Sequence, residues 1–190
     1  MKINATFTIR VAAAVFALLA SGFAAAGILI VNDTTAGGPT WNRPLAGTPP
    51  TSLSGVGTAT AYDVTKFRVD AAGAYTFQAT ATNPAAWDDY TFLYSGSFNA
   101  ATPFAHVITG NDDNPTIGLS GFTQSLVSGI DYFLVVTGFA NSDQGAYSLA
   151  IASRAGTAFI PTTNVPEPAS IALMGLGLLG FVASRRKAKT

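Results

Sequence analysis

Between Phe67 and Ile151, apolar residues recur at every second position in short runs, each closed by glycine, asparagine, aspartate or proline. Side chains alternate across a strand with a period of two, so this pattern suits strands with one face on a core and does not suit helices. The clearest run puts Tyr75, Phe77, Ala79 and Ala81 on one face and Thr76, Gln78, Thr80 and Thr82 on the other. Phe67 and Val69 precede it across Asp70-Ala71-Ala72-Gly73, which reads as the turn of a hairpin, and Asn83-Pro84 ends it.

Residues 28–31, 90–94 and 105–108 are shorter strand candidates, and a turn cluster from Gly110 to Pro115 closes the last of them. Phe122 and Leu126 flank a polar segment. Tyr132, Leu134 and Val136 interleave with Phe133 and Val135, so both faces of that run are apolar and a central strand is expected there. Tyr147, Leu149 and Ile151 alternate on a final strand. Seven or eight short strands with no long helical pattern among them predict an all-β, antiparallel β-sandwich, jelly-roll-like, whose two inner faces interdigitate. Residues 34–57, rich in Gly, Pro, Thr and Ser, read as a long irregular stretch with Trp41 and Leu45 as apolar anchors.

The ends follow a different logic. Lys2 and Arg10 precede or open an apolar run over 11–20, and Ala24-Ala25-Ala26 forms a small-x-small cleavage site ahead of Gly27. These are the parts of a secretory signal peptide, expected as a helix over 1–26; cleavage after Ala24 fits nearly as well. At the other end, residues 161–164 form a linker, and thirteen uninterrupted apolar residues at 171–183 run into Ser184-Arg185-Arg186-Lys187. A helix over 169–184 is about 24 Å long, short for a bilayer, yet flanking arginines and lysines snorkel and the membrane thins to match. The basic cluster is expected to stop transfer and stay cytoplasmic, leaving residues 27–160 outside as the exported domain. Such a chain implies the export translocon and signal peptidase as partners.

Removing the ends also changes the charge. The whole chain holds ten basic and ten acidic residues. Residues 27–164 keep only Arg43, Lys66, Arg68 and Arg154 against nine aspartates, a formal net charge of −5. An acidic domain of this kind argues against nucleic acid as a partner. Cysteine is absent, so stability rests on packing, with a bound ion as the one available supplement.

Val165-Pro166-Glu167-Pro168-Ala169-Ser170, the glycine-containing apolar run and the terminal Arg185-Arg186-Lys187 cluster together resemble the PEP-CTERM sorting signal of Gram-negative bacteria. The resemblance implies recognition of Val165, Pro166, Glu167 and Pro168 by an exosortase, an anchor over 171–183 and a stop signal at 185–187. It also implies residence in the inner membrane as a sorting intermediate, then delivery to the outer surface or to an exopolysaccharide and biofilm matrix. The two prolines hold the motif extended outside the membrane, where a processing enzyme can thread it.

A second resemblance covers about Thr65 to Ile151. Phe67-x-Val69, Gly73-x-Tyr75-x-Phe77, Asp88-Asp89-x-x-Phe92-Leu93-Tyr94, Asp112-Asp113, Leu126-x-x-Gly129-x-x-Tyr132-x-Leu134-Val135-Val136 and Gly145-x-Tyr147-x-Leu149 are similar to the bacterial pre-peptidase C-terminal β-sandwich. Modules of that kind are non-catalytic, accompany secreted enzymes, and are associated with surface or substrate binding and in some cases calcium. This chain departs from the pattern in having no catalytic domain beside the module.

The residues leave three function classes open: a matrix or surface structural protein, a calcium- or sugar-binding module, and an enzyme. Asp88, Asp89, Asp112 and Asp113 are candidate calcium ligands, since calcium takes six to eight oxygens; the alternative is that they cap turns. Trp41 and Trp87 are candidate sugar platforms if exposed, and exopolysaccharide is the sugar the resemblance implies; the alternative is core. A secreted hydrolase is the remote third class, because His106 is the only histidine and no Gly-x-Ser-x-Gly is near it. The expectation is a non-catalytic surface or matrix protein with no cofactor, or with calcium.

Overall fold

The computed structural model describes residues 27–162, and the signal helix expected over 1–26 and the membrane helix expected over 169–184 lie outside the described residues. Ten strands are present: β1 (Gly27–Thr34), β2 (Thr40–Trp41), β3 (Thr60–Val69), β4 (Gly73–Asn83), β5 (Asp89–Ser95), β6 (Val107–Asn111), β7 (Leu119–Leu126), β8 (Tyr132–Gly138), β9 (Ala146–Ser153) and β10 (Ala158–Phe159). They form two antiparallel sheets, one ordered β1-β9-β4-β7 and the other β10-β3-β8-β5-β6, with β2 paired to β3. The described residues contain no helix.

Alternation places the core where the sequence pattern puts it. Tyr75, Phe77, Ala79, Ala81, Tyr147, Leu149 and Ile151 from the four-stranded sheet meet Phe67, Val69, Leu93, Tyr132, Leu134 and Val136 from the six-stranded one, all of them buried. Burying one such large side chain contributes roughly 1.5–3 kcal/mol, so this interlayer holds the two sheets together. Strand β8 lies between β3 and β5, as a run that is apolar on both faces requires.

Pairing differs from expectation at one point. Strands β3 and β4 do not form a hairpin: β3 pairs with β8 and β4 with β7 and β9, so residues 70–72 carry the chain from one sheet to the other. The Phe67 and Phe77 rings consequently meet across the core, 5.8 Å between centroids. Alternation specifies which face is buried and is silent about which partner lies alongside.

Both faces of β5 and β8 are buried because the six-stranded sheet has a second apolar cluster outside the sandwich. Trp41, Tyr90, Phe92, Tyr94 and Val135 form it, with Phe98 packed against Trp41 and Tyr94. The Pro- and Gly-rich segment after β2 is the cover of this cluster: Leu45 N donates to Ser52 O, and Gly47 exchanges backbone hydrogen bonds with Gly110 of the edge strand β6. Beneath it Arg43 is fully buried, its guanidinium 4.0 Å from the Tyr90 ring centroid. It donates to the carbonyls of Gly138, Phe139 and Pro44, which is how a buried cation is satisfied without a carboxylate partner.

Candidate functional site

Strands β4, β6 and β8 all finish at the same end of the sandwich, and the chain then crosses to the opposite sheet each time. The β4–β5 crossing ends at Asp88, the β6–β7 crossing begins at Asp112 and Asp113, and the β8–β9 crossing contains Asp143. Two of the crossings touch. Gly118 has a φ of +80°, and a Cβ there would lie 2.7 Å from the Ala86 Cα, so glycine is what lets the β6–β7 crossing press on the β4–β5 crossing.

That contact gathers carboxylates. One oxygen each from Asp88, Asp112 and Asp113 lie within 4.8 Å of one another. Asp88 and Asp112 are half-buried, and each has one carboxylate oxygen sealed from solvent with no hydrogen-bond partner. Asp89, one residue further on, opens β5 with its side chain fully buried and neither oxygen hydrogen-bonded. The amides of Asp89 and Ser120 offset part of that cost without reaching hydrogen-bond geometry.

The electrostatics follow from this placement. Burial, then the charges of Asp88 and Asp113, push Asp89 up to about 7. Burial and the same kind of repulsion push Asp112 up to about 6. Burial, then Asp113 and Asp143, also raise Asp88. Arg43 favours the ionised forms of Asp88 and Asp112, but its donors are committed to carbonyls. Two charges about 4.8 Å apart repel by roughly 3 kcal/mol at an effective dielectric near 20, and Arg43 offsets that repulsion only in part.

Turn capping does not explain these residues. Aspartates that cap in this chain accept backbone N–H bonds: Asp33 from Thr34, Asp70 from Thr157 and Asp143 from Ala140. Asp88, Asp89 and Asp112 accept none at the oxygens described above. Three carboxylates with this spacing suit a hard divalent cation, because calcium–oxygen bonds of about 2.3–2.6 Å put opposite ligands nearly 5 Å apart. Asp89 stands behind the set as a buried charge and is not one of the three grouped ligands.

The two tryptophans are elsewhere and are not platforms. Trp41 and Trp87 are only 4% and 7% exposed. Their indole N–H groups donate inward, to Thr137 Oγ1 at 3.1 Å and to the Ala146 carbonyl at 2.9 Å. Their size and aromatic surface are used as core, so the sugar-stacking expectation for Trp41 and Trp87 is withdrawn. His106 is exposed, with a φ of 66°, and its side chain makes no hydrogen bond among the described residues. Sequence reasoning missed Arg43, Gly118 and Asp143; a lone arginine and glycine in irregular segments carry no periodic signal.

Val165, Pro166, Glu167, Pro168, Arg185, Arg186 and Lys187 lie outside the described residues. Among solved structures the chain is similar to the pre-peptidase C-terminal domain of collagenase from Bacillus anthracis, at 14% identity and a TM-score of 0.42, covering 66% of this chain and 89% of that one. It is also similar to a CBM35 from Cellvibrio japonicus, at 12% identity and a TM-score of 0.35, covering 70% and 99%. The K3 cleaved adhesin domain of Lys-gingipain from Porphyromonas gingivalis matches at 13% identity and a TM-score of 0.32, covering 65% and 91%. No curated protein sequence matches the chain. Residues 164–187 match the PEP-CTERM protein-sorting motif, so the chain carries that sorting signal over the segment where Val165-Pro166-Glu167-Pro168 stands.

Proposed function

We propose that this chain is an exported, non-catalytic surface or biofilm-matrix protein that an exosortase sorts and processes. The observation that carries the reading is the PEP-CTERM motif at 164–187 following a closed β-sandwich. In this reading the translocon exports the chain, signal peptidase removes residues 1–26, and the tail after the linker at 161–164 holds residues 27–160 outside the inner membrane until the exosortase acts. Exopolysaccharide is the material in which the released domain resides. The test is mass spectrometry of protein released by a Gram-negative host that has an exosortase. Loss of residues 185–190 from wild type, with Glu167→Ala retained in the membrane, supports the reading. Released protein still ending in Arg185 to Thr190 contradicts it.

A second reading is favoured by the unpartnered oxygens of Asp88, Asp89 and Asp112: the domain binds calcium. Asp88, Asp112 and Asp113 hold the ion, and backbone carbonyls or water complete the six to eight oxygens. Terbium luminescence sensitised by the neighbouring Trp87 and Tyr90, displaced by calcium, is the expected signal. Luminescence unchanged from that of free terbium contradicts it.

A further inference from the structure

An open strand edge pairs readily with another chain, so exposed edges ordinarily carry lysine, proline or a cover. Three of the four edges of this sandwich are covered or interrupted. Along β7, Gly121 N donates to Asn111 Oδ1 and Gly121 O accepts from Asn114 Nδ2. Along β6, Gly47 pairs with Gly110. Strand β3 is covered by β2 at one end and β10 at the other, with Asp63 and Lys66 between. Strand β1 has no such protection. Among the described residues, the backbone of 27–33 is hydrogen-bonded only to β9, which leaves a row of N–H and C=O groups free along the other side. The strand contains no proline or lysine, and Asp33 is its one charge. Ile28 and Ile30 are 60% and 49% exposed on its outer face, and Leu29 and Val31 are only half-buried on the inner one.

We propose that β1 pairs antiparallel with β1 of a second copy of this chain, joining the two four-stranded sheets into one of eight strands. The pairing is isologous, about a two-fold axis. Inner faces stay on the same side only when each residue meets one of the same parity, because side chains alternate along the strand. The register centred on Ile30 does this: it sets Ile30 against its twin, Leu29 against Val31, Ile28 against Asn32 and Gly27 against Asp33. Charge favours that register. With residues 1–26 removed, as in the sorting reading on which this step rests, Gly27 carries the α-amino charge and meets the Asp33 carboxylate of the second copy. The register centred on Val31 instead sets Asp33 against Leu29. Isoleucines from both copies then share one outer stripe, and opposed side chains of this kind stabilise a ladder. Strand β7, the far edge of the same sheet, is interrupted at Gly121, so no third copy adds there.

The test uses protein purified from the exporting host. Sedimentation velocity is expected to show a monomer–dimer equilibrium with a Kd of roughly 1–100 µM, as suits a small interface. Ile30→Lys, at an exposed position, melts as wild type does but raises that Kd about tenfold or more, because two like charges meet at the axis. The chain has no cysteine, so single cysteines report the register. Under oxidation Ile30→Cys links to its twin about ten times faster than Ile28→Cys, whose twin lies four residues away, roughly 13 Å along the strand. The outward amides of 28–32 exchange rapidly in dilute protein and slowly in concentrated protein. A monomer at every concentration, unchanged dimerisation of Ile30→Lys, or equal cross-linking rates overturns the proposal. Full protection of 28–32 already in dilute protein overturns it too, since another segment of the chain then covers the edge. The mass of the tail, which decides the sorting reading, is measured separately on the same material, so either can fail alone.

Discussion

At the end of the sandwich where β7 turns into β8, Asp131 sits between two cations: Lys66 Nζ lies 2.8 Å from one carboxylate oxygen and Arg68 bonds the other. Those bonds, the Arg68 one first, hold Asp131 down at about 2. At the opposite end, Asp88, Asp89 and Asp112 have buried oxygens that meet no donor, and their carboxyls are pushed up. The same residue type, at equivalent turns of one fold, is satisfied by the protein at one end and left unsatisfied at the other. An aspartate that only ends a strand needs no more than the first arrangement. The second makes sense where something from outside completes it.

The comparison can be broken outright by removing the frame that both ends share. Leu134 is fully buried in the interlayer, so Leu134→Asp puts an unpaired charge there and costs more than about 4 kcal/mol, enough to unfold the domain. A native melting transition for that variant is incompatible with the core described above. A smaller, signed effect separates the ends. Without calcium at pH 7, Asp89→Asn stabilises the fold by roughly 1–3 kcal/mol, whereas Asp131→Asn removes a satisfied ion pair and lowers the melting temperature slightly. Equal shifts of the same sign erase the contrast.

Acid sharpens it further. Asp89 and Asp112 hold their protons more tightly in the folded state, to about 7 and about 6, than the unfolded chain does at about 4. Between about pH 4 and 7 the folded state therefore carries more protons, so cation-free stability falls as pH rises through that window and is greatest below it. Asp131 works in reverse: its contribution is present above about pH 4 and is lost as pH falls toward its value of about 2. Denaturant melts of chelated protein are expected to peak between those two regimes, and calcium removes the decline above pH 4. A further expected effect is positional. Gly118→Ala forces a left-handed backbone on a residue with a Cβ and drives that Cβ toward Ala86, costing about 1–2 kcal/mol and weakening calcium binding while leaving the Asp131 end untouched.

How much of this could be read from the chain alone depends on whether the signal is periodic. The inward faces of β4, β8 and β9 follow from alternation, because Tyr75, Phe77, Leu134, Leu149 and Ile151 are large and regularly spaced. The crossing at 70–72 was not legible, since a short polar turn serves a hairpin and an inter-sheet passage equally well. Strand β7 was missed because Gly121, Thr123, Gln124 and Ser125 make a polar edge. The cover after β2 has no period at all, so the burial of Trp41 and Arg43 beneath it emerges only in three dimensions. For the site, paired aspartates at turns were visible and their satisfaction was not. Asp143 looks equivalent to Asp112 in sequence, yet one accepts an amide and the other has a buried oxygen that accepts none.

The central claim is that the unsatisfied end of the sandwich is a cation seat and the satisfied end is not. Calorimetric titration of the full chain with calcium, comparing wild type with Asp112→Asn and Asp131→Asn, tests it most directly. The account predicts saturable binding of one ion by wild type and by Asp131→Asn, and none by Asp112→Asn. No heat with wild type, or the same heat with all three, contradicts it.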